Sequence, residues 1–160
     1  MNIERILIAN RGEIAARVIR TCQELGIETV LTVSEADRGS TPARLADQVI
    51  CIGPPQAAKS YLNIEAVVAA AIACHADAIH PGYGFLSENP RLVRACEEAN
   101  ILFIGPTETQ LHAVGDKLQA RQEAQAAGLP IVPGGAAEDV EAGVRLAEEL
   151  GYPVLIKAVS

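Results

Sequence analysis

Between Ala78 and Pro90 the chain reads AIHPGYGFLSENP, which places a His, a Tyr, a Ser, a Glu and an Asn among two glycines and two prolines. A connector that only turned the chain would need about four residues. Ser87 or Asn89 can cap a helix starting near Pro90, and Pro90 suits its first turn, which accounts for the second half of the stretch. The first half, His80-Pro81-Gly82-Tyr83-Gly84, has no such structural role by pattern. Gly82 and Gly84 permit positive φ or close approach of backbone to a ligand, and Pro81 holds His80 extended. This combination predicts a binding loop.

Two lysines are the next groups with chemistry. Lys117 follows Gly115-Asp116, and Lys157 closes the apolar run Val154-Leu155-Ile156. A stem buried along a strand with the ammonium presented at its end makes a point cation suited to phosphate. Asn10-Arg11-Gly12-Glu13 also follows an apolar run. It carries one glycine where a dinucleotide fingerprint needs three, so a tight strand-to-helix turn is the better reading than an NAD site. Downstream, Glu13, Arg17, Arg20 and Glu24 share one helical face. They can pair within the helix as a solvated stripe or present a charged self-association surface. His75, His80 and His112 share no zinc-ligand spacing with Cys22, Cys51, Cys74 and Cys96, and no C-x-x-C pair occurs. The cysteines read as reduced, buried thiols, and no metal site is expected.

These groups need a scaffold, and composition bounds it. The 160 residues suffice for one domain or one domain and the start of another, and 49% hydrophobic with 21% charged residues is ordinary for a soluble globular chain. A net charge of -7 argues against a nucleic-acid surface, which needs clustered Lys and Arg. No apolar run reaches the roughly 18 residues of a membrane span, and the N-terminus enters a strand pattern without a signal peptide. The chain is expected in the cytoplasm.

Apolar runs of strand length alternate with segments of helical period. Strands are expected over Ile6–Ala9, Thr29–Val33, Gln48–Ile52, Ala78–His80, Ile101–Ile104 and Val154–Ile156. Helices are expected over Glu13–Leu25 (stopped by Gly26), Ile64–Cys74, Pro90–Ala99, Thr107–Val114, Lys117–Ala127 and Glu138–Leu150, with Asp116 as an N-cap. Continuous apolar strands between helices predict an α/β fold, a Rossmann-like open parallel sheet with helices on both faces. NRGE, HPGYGFLSENP and GPTE then follow strands on the carboxyl edge, where such sheets bind ligands.

The motifs IANRGEIAARVIR, LADQVICIG, KSYLNI, AIHPGYGFLSEN, FIGP, GDKLQAR and GYPVLIKA, in this order over the whole chain, resemble the N-terminal part of biotin carboxylases. The same segment occurs in acetyl-CoA, propionyl-CoA and methylcrotonyl-CoA carboxylases and in pyruvate carboxylase. The resemblance implies an ATP-grasp enzyme that uses ATP and bicarbonate, with Mg²⁺ or Mn²⁺, to carboxylate biotin on a biotin carboxyl carrier protein, together with a carboxyltransferase. It implies a pre-ATP-grasp domain over 1–115 and the start of an ATP-grasp domain over 116–160. It assigns Lys117 and Lys157 to ATP, His80, Tyr83 and Gly84 to the neighbourhood of biotin, and Arg17, Arg20 and Glu24 to a homodimer contact. In the family the strand ending at Lys157 runs into a glycine-rich lid. Ala158-Val159-Ser160 closes this sequence, with Val159 off that pattern. The metal-binding carboxylates and the catalytic Arg and Glu are thus expected beyond residue 160, none of the catalytic residues within it, and no activity from the chain alone. Two other readings are a non-catalytic dimerisation module and another ATP-grasp ligase, such as a carbamoyl-phosphate synthetase, which shares the sheet but not HPGYGFLSEN.

Overall fold

Residues 2–115 and 117–157 are described by the computed structural model, with side chains described outside 114–119. Strands β1 (Arg5–Ile8), β2 (Glu28–Ser34), β3 (Gln48–Gly53), β4 (Ala78–His80) and β5 (Leu102–Phe103) form one sheet in the order β3-β2-β1-β4-β5. Every pairing is parallel, with Ile6 opposite both Thr29 and Ala78. The open α/β architecture expected from the alternation is the one observed.

Helices α1 (Gly12–Leu25), α2 (Thr41–Leu45), α3 (Ile64–Ala73) and α4 (Pro90–Glu98) connect these strands, followed by α5 (Glu108–Gly115). Successive strand side chains point to opposite faces, and β1 shows how that divides the core. Ile6 and Ile8 pack with Ala15, Val18, Ile19 and Cys22 of α1, whereas Leu7 and Ala9 pack with the α3 and α4 layer. Both faces of the central strands are therefore buried, which is why they read as unbroken apolar runs rather than alternating ones.

Several boundaries move by a residue or two, and α2 has no counterpart in the sequence expectations. At five residues, with Pro42 in its first turn, it is too short to show a helical period. Asn63 and Asn89 cap α3 and α4 by accepting from Ala66 N–H and Arg91 N–H, both at 3.0 Å. Asn89 rather than Ser87 is thus the cap of α4. All four cysteines are free thiols, but Cys51 is only half-buried, unlike Cys22, Cys74 and Cys96. Burial raises the pKa of the Cys96 thiol to about 11, so it behaves as core.

The chain divides into two compact units, Met1–Leu111 and His112–Ser160. The second holds α6 (Lys117–Ala126) and α7 (Val140–Leu150). Asp139 caps α7 by accepting from Ala142 N–H at 2.7 Å. Val154–Ile156, expected as a strand, forms none, and Leu155 and Ile156 are 80% and 89% exposed. A strand needs a neighbour to satisfy its ladder, and among the described residues of this unit no other strand exists. No helix is long and apolar enough to cross a membrane among the described residues.

Candidate functional site

In the order β3-β2-β1-β4-β5 the connections run one way from β1 and the other way from β4, so the topological switch point lies between these two strands. Open parallel sheets bind ligands in the crevice beyond the carboxyl ends at that point. Here the loops that diverge are Ala9–Arg11 after β1 and the stretch after His80. Between them lies a crevice of about 400 Å³ lined by Asn10, Arg11, Glu13, Tyr83, Gly84 and Phe85. A larger groove, about 530 Å³, runs between α3 and α4, lined mainly by Ile64, Val68, Ala69, Ile72, Ala95 and Ala99. It lies in the helix layer away from the strand ends, so the smaller crevice is the candidate site.

The β1–β4 ladder continues one step past the strands, where Ala9 N–H donates to the His80 carbonyl at 2.9 Å. Beyond it the Asn10 side chain takes over. Its amide donates to the Pro81 carbonyl at 2.7 Å and to the Tyr83 carbonyl at 2.8 Å, and its oxygen accepts from Arg11 N–H at 2.8 Å. Asn10 is 3% exposed. The first half of the loop therefore has a structural role after all: it is fastened to the β1 loop across more than seventy residues of sequence. Gly82 shows the consequence, since its φ is +66° and an added Cβ would sit 2.7 Å from the Asn10 amide nitrogen. Gly84 has the same φ but nothing within 4 Å of such a Cβ, so conformation alone calls for glycine there.

His80 is half-buried, and its Nδ1 accepts from Gly82 N–H at 3.0 Å, which places the neutral ring's proton on Nε2. Burial lowers its pKa below the usual imidazole value, outweighing its own backbone hydrogen bond. Tyr83 is 61% exposed, with its hydroxyl on the Glu13 carboxylate. That contact raises the phenol pKa. Glu13 is thus committed across the crevice rather than to Arg17. Among the described residues the intrahelical pairs Glu13–Arg17 and Arg20–Glu24 do not form, and Arg17, Arg20 and Glu24 stay exposed. Their long side chains extend into solvent, where such a pair is worth only a few tenths of a kcal/mol.

A second fastening holds the far end of the loop. Phe85 adopts φ +43°, and its ring stacks on Tyr61 with centroids 5.0 Å apart. The Arg11 guanidinium lies 5.5 Å from the Tyr61 centroid and 5.4 Å from that of Phe85, and 3.6 Å from Asp37. Asp37 accepts from the hydroxyls of Ser34 and Tyr61, both at 2.7 Å. Burial pushes the Asp37 carboxyl up, but those hydrogen bonds and the Arg11 charge bring it below the ordinary range. Burial raises the Tyr61 phenol to about 12, so it stays a donor to Asp37. Asp37 and Tyr61 have no functional reading from sequence, and Asn10 has one only as part of the NRGE loop on the carboxyl edge. The available signal was a polar Asn directly after an apolar strand.

The remaining expectations fall in the second unit or outside the described residues. Lys157 is exposed and does not end a strand, while the side chain of Lys117, at the start of α6, and the Asp116 cap lie outside the described residues. Ala158, Val159 and Ser160 lie outside them too. Among the described residues no group of three or more His, Cys, Asp or Glu side chains could hold a metal ion.

An open parallel sheet with a crevice at its switch point defines an α/β domain of the Rossmann-like class. Residues 2–111 match the family described as "Biotin carboxylase, N-terminal domain", and residues 116–160 match "Carbamoyl-phosphate synthase L chain, ATP binding domain". The chain belongs to the biotin carboxylase N-terminal domain family. It is 51% identical to biotin carboxylase 1 of Bacillus subtilis over 160 residues, covering 99% of this chain and 36% of the relative. Among solved structures it resembles a biotin carboxylase–beta-gamma-ATP complex from Campylobacter jejuni, with TM-score 0.88 and 49% identity over 95% of this chain and 34% of that one. It also resembles the biotin carboxylase domain dimer of the Hydrogenobacter thermophilus 2-oxoglutarate carboxylase, in complex with MgADP, ADP and bicarbonate. There the TM-score is 0.89 and the identity 46%, over 99% of this chain and 35% of that one. The chain spans about a third of the length of such relatives.

Proposed function

We propose that these residues form the N-terminal part of a biotin carboxylase, which uses ATP and bicarbonate to carboxylate biotin on a carrier protein. On this reading the crevice after β1 and β4 receives the biotin ring, with Tyr83 and Gly84 from its lining against the ring and His80, at the end of β4, nearby. Lys117 and Lys157 serve ATP as point cations that neutralise phosphate charge. Arg17, Arg20 and Glu24, exposed and unpaired on α1, serve a homodimer contact. Mg²⁺ or Mn²⁺ would supply further neutralisation of phosphate charge in the assembled enzyme. Among the described residues no group of three or more His, Cys, Asp or Glu side chains supplies its ligands. The carrier protein and a carboxyltransferase are the partners, and the cytoplasm the location.

The observation that carries the biotin assignment is the exposure of Tyr83 from a loop fastened at both ends. A ring held out over a crevice has no packing role in the fold, so its removal tests function directly. In the complete carboxylase, Tyr83→Ala is expected to raise KM for biotin about tenfold, the equivalent of about 1.4 kcal/mol, with KM for ATP and the melting temperature nearly unchanged. Normal biotin constants with lowered stability would return the loop to a purely structural role. The 160-residue chain by itself is expected to show no bicarbonate-dependent ATP hydrolysis, since phosphoryl transfer needs metal ligands it does not present among the described residues. Turnover abolished by Lys117→Ala would overturn that.

A further inference from the structure

Parallel strands separate where their connections turn opposite ways, and from that point the ladder can no longer align the two loops. In this sheet the last backbone contact is Ala9 N–H to the His80 carbonyl. The next groups that a ladder would have joined are the carbonyls of the diverging loop, and they are met by a side chain instead. Both N–H groups of the Asn10 carboxamide are used, one on each side of Gly82, at 2.7 and 2.8 Å. Its oxygen is used as well, by Arg11 N–H. A carboxamide with both donors and its oxygen engaged and 3% exposure is fixed in position. The close approach to Gly82 shows the fit from the other side, because no side chain could stand there while Asn10 does.

We propose that Asn10 is a positioning residue for the biotin crevice: it holds the Tyr83 backbone carbonyl, and through it sets where the exposed Tyr83 ring lies. The proposal rests on the assignment of Tyr83 to biotin. Of the two fastenings, only this one reaches Tyr83 itself, since the Phe85 stack acts two residues further on. Gly84, between them, has no side chain to pack, and its carbonyl accepts from Ser87 N–H at 2.9 Å, further along the loop. The Asn10 amide therefore holds the Tyr83 backbone, while the end of the ring is held separately by its hydroxyl on Glu13.

Asn10→Asp keeps the shape and replaces the two donors with a carboxylate facing two carbonyl oxygens. When that carboxylate is protonated it regains one O–H donor, so the defect becomes pH-dependent in a way no general weakening of the fold would be. In the complete carboxylase at pH 8, Asn10→Asp is expected to raise KM for biotin about tenfold and to leave KM for ATP within about twofold. Relative to wild type at each pH, this defect shrinks as pH is lowered toward 6. Asn10→Leu, which never donates, keeps its defect at every pH. Gly82→Ala, which pushes the amide away from the opposite side, reproduces the biotin defect with Asn10 itself unchanged, and the melting temperature of each variant is read alongside so that a loss of fold is separated from a biotin defect. Equal effects on biotin and ATP, or identical pH profiles for the Asp and Leu variants, would overturn the proposal. Tyr83→Ala is run alongside. Normal biotin constants in that variant would overturn the biotin assignment and this proposal together, whereas an impaired Tyr83→Ala beside an unimpaired Asn10→Asp would overturn this proposal alone.

Discussion

At the amino edge of the sheet carboxylates meet backbone amides; at the carboxyl edge a neutral carboxamide meets backbone carbonyls. Asp77, just before β4, accepts from the N–H groups of Glu4 and Arg5, both at 2.8 Å. Asp47, just before β3, accepts from Thr29 N–H at 2.8 Å and from its hydroxyl at 2.7 Å. Arg5 joins Glu28 at 2.7 Å and also donates to the Cys74 carbonyl. The charges of Asp77, Asp47, Arg5 and Glu28 are matched by partners at the starts of the strands, and the backbone amides hold both aspartate carboxyls below their ordinary pKa range. The carboxyl edge instead uses Asn10, whose fixed neutral donors add no charge to the crevice, and leaves Tyr83 in solvent. An edge that only has to hold can use its charges on itself. The carboxyl edge fastens the Tyr83 backbone with a neutral carboxamide and keeps its ion pair, Arg11 with Asp37, at the Tyr61–Phe85 stack two residues further on.

The largest expected effect comes from the two glycines of the carboxyl edge, which share a φ and differ in surroundings. Gly82→Ala adds a clash with the Asn10 amide to a left-handed backbone cost of about 1–2 kcal/mol, for a total near 3 kcal/mol once a hydrogen bond is lost. Gly84→Ala carries the backbone cost alone, about 1 kcal/mol. Urea unfolding of the two variants measures the gap, and equal destabilisation would show that Asn10 yields without resistance.

The amino edge should respond in stability and leave the site alone. Asp77→Ala strips the acceptor from two amides near the surface, where water replaces it in part, so about 1–2 kcal/mol is expected. Biotin and ATP constants in the complete carboxylase should not change. A biotin defect from Asp77→Ala would blur the division between the two edges.

The five strands were legible because burial on both faces leaves continuous apolar runs, of which Ile6–Ala9 and Thr29–Val33 are clear cases. The same signal misled at Val154–Ile156, since an apolar run reports side chains suited to a buried strand and not the presence of a neighbour strand in this unit. The loop from His80 to Gly84 was legible as unusual from its glycines and aromatic. Its fastening was not, because Asn10 meets Pro81 and Tyr83 only after the β1–β4 pairing forms, and no local pattern encodes a contact over seventy residues. The Tyr61–Phe85 stack is hidden for the same reason.

Acid should separate the edges in a fixed order. The His80 pKa is lowered in the fold, so its contribution to stability is present above the ordinary value near 6.5 and is lost as pH falls below it. Protonation of Nδ1 also breaks the bond from Gly82 N–H. Asp47 and Asp77 are lowered as well, so their contributions are present above the ordinary carboxylate value near 3.9 and are lost only as pH falls through their lower folded values. Between about pH 6 and pH 4, hydrogen exchange corrected for intrinsic rates should show Gly82 losing protection while Thr29 and Arg5 keep theirs. Simultaneous loss would mean the sheet opens as one unit and the two edges are not independent.

The smallest effect tests how little the exposed side of the crevice is held. Tyr83→Phe removes only the hydroxyl on Glu13, a contact between two exposed groups that water can replace on both sides. Such contacts contribute a few tenths of a kcal/mol, so the melting temperature should stay within about 2 °C of wild type. The ring, the Asn10 bonds to the loop carbonyls and the Phe85 stack are untouched, so KM for biotin should change less than about threefold, against about tenfold for Tyr83→Ala. If the ring is the contact group, Phe suffices and Ala does not. Should Tyr83→Phe instead match Tyr83→Ala, the working group is the hydroxyl with its Glu13 partner. The carboxyl edge would then rely on a charged pair just as the amino edge does, and the contrast between them would fail at its most exposed residue.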